Sequence, residues 1–204
     1  MALHANLESS VGLTDPVLSS QSVFRSVMNA LARPGLIQTI SAVADAPSRL
    51  MPATAAVALS LFDHDTPIWI DDHFNADPAV AAWLRFQSDA PLVVDGSRAS
   101  FALIHCGSAL PDFETFALGT PEYPDRSTTL VVQVNTLTEG PELVLRGPGI
   151  NGTALLRGGA LPSDFVERMQ ANRAFFPRGV DLVLTCGAEL VALPRSTHVT
   201  AKGA

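Results

Sequence analysis

Apolar residues recur at three- and four-residue spacing from Val17 through Val23, Phe24, Val27 and Met28 to Leu31, which predicts an amphipathic helix with one apolar stripe. Thr14-Asp15-Pro16 gives it a capping side chain and an early proline, and Arg33-Pro34-Gly35 ends it. Leu36 to Ile40 reads as a short strand. Leu50 to Phe62 is alanine-rich and apolar on nearly every side, so this helix is expected to be buried all round. Pro67 to Ile70 reads as a strand, and Asp77-Pro78 opens a helix to Phe86 that carries Trp83 inward. Pro91 to Val94 and Phe101 to His105 are predicted strands.

The segment Phe116 to Ile150 organises the second half. A proline-punctuated loop containing Gly119, Pro121 and Pro124 leads into a strand from Thr129 to Leu137. Leu130, Val132 and Val134 there alternate with Val131, Gln133 and Asn135, predicting one wetter face. Thr138-Glu139-Gly140-Pro141 is turn chemistry, so Glu142 to Arg146 is expected to pair antiparallel with that strand. Pro162-Ser163-Asp164 starts a helix that stops at Phe176-Pro177-Arg178-Gly179. Val180 to Thr185 and Glu189 to Leu193 predict a hairpin around Cys186-Gly187-Ala188. The expected organisation is a mobile segment over residues 1–14, a single α/β domain over 15–197, and a polar tail over 198–204.

Composition narrows the class. Of 204 residues, 47% are apolar and 16% charged, a balance suited to a chain with a large core or with further surface to bury against partners. The net charge of -7 and the lack of a Lys/Arg cluster argue against nucleic-acid binding. No apolar run approaches the ~20 residues of a membrane span. Two cysteines far apart, Cys106 and Cys186, suit a reduced, cytoplasmic protein. Lys202 is the only lysine, so cationic work falls to arginine, whose planar fork grips oxyanions.

Candidate chemistry is sparse. Asp63-His64-Asp65 and Asp71-Asp72-His73 flank one strand; they offer metal-ligand types but no ligand spacing, and read as charged caps. His105 beside Cys106 reads as structural, with no nucleophile–base order around it. GPGING at 147–152 satisfies G-x-G-x-x-G after a strand. Pro148 and Gly158-Gly159 argue against a dinucleotide loop and for a tight turn. Arginines recur in turns beside proline, glycine or hydroxyl residues. The candidates are Arg126-Ser127-Thr128, Arg178 and Arg195-Ser196, either as a convergent oxyanion pocket or as structural and interface residues.

Ala32-Arg33-Pro34-Gly35, LGTPEYPDRSTTL at 118–130, LRGPGI at 145–150 and the run LP…F…NRAFFPRGVDL…LPRST at 161–197 resemble the PhnH family. That family supplies one component of the carbon–phosphorus lyase core complex of bacterial phosphonate breakdown. The resemblance implies a three-layer αβα sandwich with a mixed sheet, similar to the large domain of pyridoxal-phosphate (PLP)-dependent transferases but without PLP or any other cofactor. It implies a homodimer that joins the G, I and J subunits. The assembly synthesises alpha-D-ribose 1-methylphosphonate 5-triphosphate, and the role of this component in it is structural. The alternative is a component that recognises a phosphonate or nucleoside triphosphate through its arginine loops. The family carries over no catalytic residue.

Overall fold

The structure, a computed structural model, describes residues 16–40, 46–105, 110–159 and 161–203. The expected N-terminal segment, the Thr14-Asp15 cap and Cys106 lie outside them.

Helix α1 (Pro16–Ala32) leads to a two-residue strand β1 (Gln38–Thr39), and α2 (Pro52–Leu61) follows. Strand β2 (Ile68–Ile70), the short α3 (Asp72–Asn75), α4 (Pro78–Ser88) and strand β3 (Phe101–His105) complete the first half. Then come β4 (Thr129–Gln133), β5 (Glu142–Arg146), β6 (Ala154–Arg157), α5 (Phe165–Ala174), β7 (Asp181–Cys186), β8 (Glu189–Leu193) and β9 (His198–Ala201).

Six strands form a mixed sheet in the order β1-β8-β7-β4-β3-β2. β2, β3, β4 and β7 run parallel, whereas β8 and β1 are added antiparallel at one edge. The period-two pattern of each strand sends alternate residues to opposite faces. Leu103, Val131, Val183 and Ala192 meet α1, α2 and α4 on one face. Leu130, Val132, Leu182 and Leu184 meet the opposite layer. Helix α2 is buried from Ala53 to Ala58, as its all-round apolar sequence requires.

Six expectations change. Strand β4 does not pair with β5; it lies between β3 and β7, parallel to both. Residues 130 to 134 are all buried, because a central parallel strand is covered on both faces and has no wetter side. β5 instead sits between β6 and β9 in a separate three-stranded antiparallel sheet. That sheet and α5 together form the third layer, so one outer layer of the expected αβα sandwich carries strands as well as a helix.

The polar stretch expected as a C-terminal tail supplies β9 over 198–201, where Leu145 and Val199 stand in register. The stretch Pro91 to Val94 makes only one bridge, Leu92 to Ile68, and Val94 is 96% exposed. Finally, the apolar row on α1 splits in two. Val23, Val27 and Ala30 are buried, while Val17, Phe24 and Met28 stand exposed about a third of a turn away.

The β5–β6 turn explains the glycine pattern at 147–152. Gly149 has φ +81, and a Cβ there would collide with the carbonyl of Ala32 at the end of α1. The glycines let this turn dock onto a helix end. Among the described residues, no helix is long and apolar enough to cross a membrane.

Candidate functional site

Arg195 follows β8 and reaches into the loops that precede β4 and β7. Its backbone N–H and Nε donate to Asp181 Oδ1 at 2.8 and 3.1 Å, and one terminal nitrogen pairs with Asp181 Oδ2. The same nitrogen donates to Ser127 Oγ at 2.5 Å, and the other donates to the carbonyls of Pro124 at 2.7 Å and Pro177 at 3.4 Å. The side chains of Arg195 and Asp181 are only 13% and 22% exposed. Arginine suits the post because five donors in a rigid plane can hold three chain segments at once. All of its donor nitrogens are engaged inside the chain.

The other candidates separate. Thr128 is fully buried; its hydroxyl donates to the carbonyl of Ala99 at 2.6 Å and accepts from the Ala117 N–H at 3.2 Å. Arg178 lies over the Phe175 ring, 5.5 Å from its centroid. The Ser196 carbonyl packs beside Gly147. Arg126 lies 4.2 Å over the Tyr123 ring and, with Ser127, lines a cavity of about 420 Å³ that Arg178, Arg195 and Ser196 do not line. The three candidate arginine turns therefore do not converge on one pocket.

That cavity opens at the amino ends of β3 and β4, between the 3₁₀ turns Gly96–Arg98 and Pro124–Arg126. Arg98 joins Arg126 on its wall. Arg98 was not among the sequence candidates because its neighbours, Gly96 and Ser97, lie in a separate loop; the available signal was the same arginine–serine–glycine turn composition.

A second polar group gathers at the opposite, carboxyl edge of the parallel strands. Asp71, 4% exposed, caps α3 through the Phe74 N–H at 3.0 Å and accepts the backbone N–H of His105 at 2.7 Å. The rings of His73 and His105 stack at 3.9 Å with a 13° tilt. Burial holds His105 below the usual histidine range, and the neighbouring His73 adds to the effect. Arg49 donates to the His73 carbonyl at 2.9 Å. Gln133, at the end of β4, accepts from the Met51 N–H and the Thr54 hydroxyl and donates to the Arg49 carbonyl. These contacts tie α2 and α3 to the sheet. Among the described residues, no three His, Cys, Asp or Glu side chains converge in a way that could hold a metal ion.

Comparison with known proteins matches residues 11–200 to the family model described as bacterial phosphonate metabolism protein (PhnH). A Rhizobium meliloti (strain 1021) protein named alpha-D-ribose 1-methylphosphonate 5-triphosphate synthase subunit PhnH is 46% identical over 185 residues, covering 91% of this chain and 92% of its own. A Stutzerimonas stutzeri protein named as a C-P lyase subunit protein, HtxG, is 32% identical over 186 residues, covering 90% of this chain and 87% of its own.

Proposed function

The chain belongs to the PhnH family of bacterial phosphonate metabolism proteins, and from that premise we propose that it serves as a structural, assembly subunit of a carbon–phosphorus lyase complex in organic phosphonate catabolism. The relatives' names as subunits of a synthase and of a C-P lyase support the setting.

The exposed row on α1 is the observation that carries the assembly role. Val17 is 65%, Phe24 48% and Met28 49% exposed, and they align along one side of a helix whose other row is already in the core. A helix that spends apolar side chains on two faces has a second surface to bury, and aromatic and methionine side chains are enriched where subunits meet. The Arg195 network supports the same reading, since its guanidinium holds the chain's own loops and is not turned outward.

The finer parts of the reading are a homodimer in isolation, contacts with the G, I and J subunits, a cytoplasmic setting, and kinship with the large domain of PLP-dependent transferases. No PLP is held in this reading, and the chain is not catalytic by itself. Lys202, the one lysine, is paired with Glu142 at 2.5 Å at the end of β9, a poor place for a Schiff base. The test is complementation of cells that lack this chain. Growth on a phosphonate and recovery of the intact complex should return together with the wild-type protein. Full complex recovered without it would contradict the role.

A further inference from the structure

We propose that the cavity between the turns Gly96–Arg98 and Pro124–Arg126 is a binding site for a tetrahedral oxyanion of the phosphate or phosphonate class, held between Arg98 and Arg126. The inference stands apart from the assembly role, which needs no ligand.

The cavity measures about 420 Å³, within the range of small-molecule sites. Arg98 and Arg126 both line it, and among the described residues neither has a carboxylate within ion-pairing distance. This sets them apart from Arg49, Arg157, Arg168 and Arg195, each of which is paired. Asp95 is close enough to Arg98 to feel its charge, but the two form no ion pair. Its Oδ1 accepts the backbone N–H and the hydroxyl of Ser97 at 3.0 and 2.7 Å. The guanidinium carbon of Arg126 lies 4.2 Å from the centroid of the Tyr123 ring, a cation–π contact that uses none of its N–H donors as hydrogen bonds. An edge of parallel N–H donors is the geometry that phosphoryl and phosphonyl oxygens accept.

The hydroxyls add direction. Ser127, 9% exposed, accepts from Arg195 at 2.5 Å, which occupies one of its two lone pairs and leaves its own proton to be donated. Ser100 and Thr129 also line the cavity, and Asp125 is the one carboxylate on its wall. On the wall itself two fixed positive charges stand against one negative, with the Asp95 carboxylate just outside it, in a chain of net charge -7.

Calorimetric titration of the purified full chain at low salt with inorganic phosphate, methylphosphonate and ATP tests the site. Saturable binding of at least one probe is expected, and whichever binds tightest identifies the form of the oxyanion. Arg98→Ala and Arg126→Ala should each weaken binding about 10- to 100-fold. Arg98→Lys and Arg126→Lys should restore only part of it, because lysine keeps the charge and loses the fork. Arg85→Ala, at an exposed position on α4 away from the cavity, should leave binding unchanged. Both arginines are exposed, so the variants should melt as the wild type does. No saturable binding of any probe, or affinity unaltered in both alanine variants, would overturn the site. Neither result would bear on assembly.

Discussion

Arg195 and Asp181 form a pair three-quarters or more buried, in which the Asp181 carboxylate takes three donors from Arg195, two from its side chain and one from its own backbone. Around that pair close the turn before β4, the Pro177 carbonyl and the start of β7. A bidentate pair this far from solvent gains from low screening, but its main consequence is asymmetric: removing one partner strands the other.

Arg195→Ala is therefore expected to destabilise the fold by about 3–5 kcal/mol. The corresponding fall in Tm is about 6–20 °C for a chain of this size. Arg195→Lys should recover less than half of the loss, because an ammonium cannot reach Asp181, Ser127 and Pro124 together. Thermal denaturation of the three proteins reads both effects. A Tm within 2 °C of wild type in Arg195→Ala, on the scale of roughly one kcal/mol or less, would contradict the structural assignment.

Acid should loosen the protein in two windows. His105 is held below its ordinary value of 6.5 by burial, then by His73, so the folded state disfavours the imidazolium and stability falls as pH drops below 6.5. Glu142 is held at about 2 against an ordinary 4.5, first by Lys202 and then by Arg157. Its contribution is complete above 4.5 and is lost as pH falls from 4.5 towards 2. Urea midpoints across pH should show Glu142→Gln flattening the lower window alone. Equal slopes below pH 4.5 in variant and wild type would exclude the Glu142 clasp that joins β5, β6 and β9.

Gly149→Ala should cost about 2–4 kcal/mol, because alanine disfavours φ +81 and its Cβ would meet the Ala32 carbonyl. Gly152→Ala, with the same sign of φ (+77) and open space around it, should cost only about 1 kcal/mol. Chemical denaturation separates the two. Equal losses would mean that backbone strain, not docking of the turn onto α1, governs the position.

Much of the fold is legible in local pattern. The all-round apolar run over α2, the proline–glycine stop after α1 and the β7–β8 hairpin each follow from residues adjacent in sequence. The pairing of β4 was not legible. Thr138 to Pro141 carries hairpin chemistry, but Leu130, Val131, Val132 and Val134 find a double-sided core only once β3 and β7, distant in sequence, lie beside them. β9 was missed because four residues, His198 to Ala201, are too few and too polar to signal a strand without β5 to pair with. At the arginines, turn composition found Arg126, Ser127 and Arg195 but said nothing of their partners. Whether a guanidinium faces Asp181 or an open cavity is set by tertiary placement.

The assembly role is tested most directly at the outer row of α1. A tagged chain carrying Phe24→Glu and Met28→Glu would be expressed with the other subunits of the carbon–phosphorus lyase complex, and the captured material weighed against wild type. Both side chains are about half exposed, so the variant should fold with an unchanged Tm. The account predicts that it recovers little or none of the complex, because two carboxylates would enter an apolar contact. Recovery of the complex at the wild-type level by the folded variant would contradict the claim that this face joins the assembly.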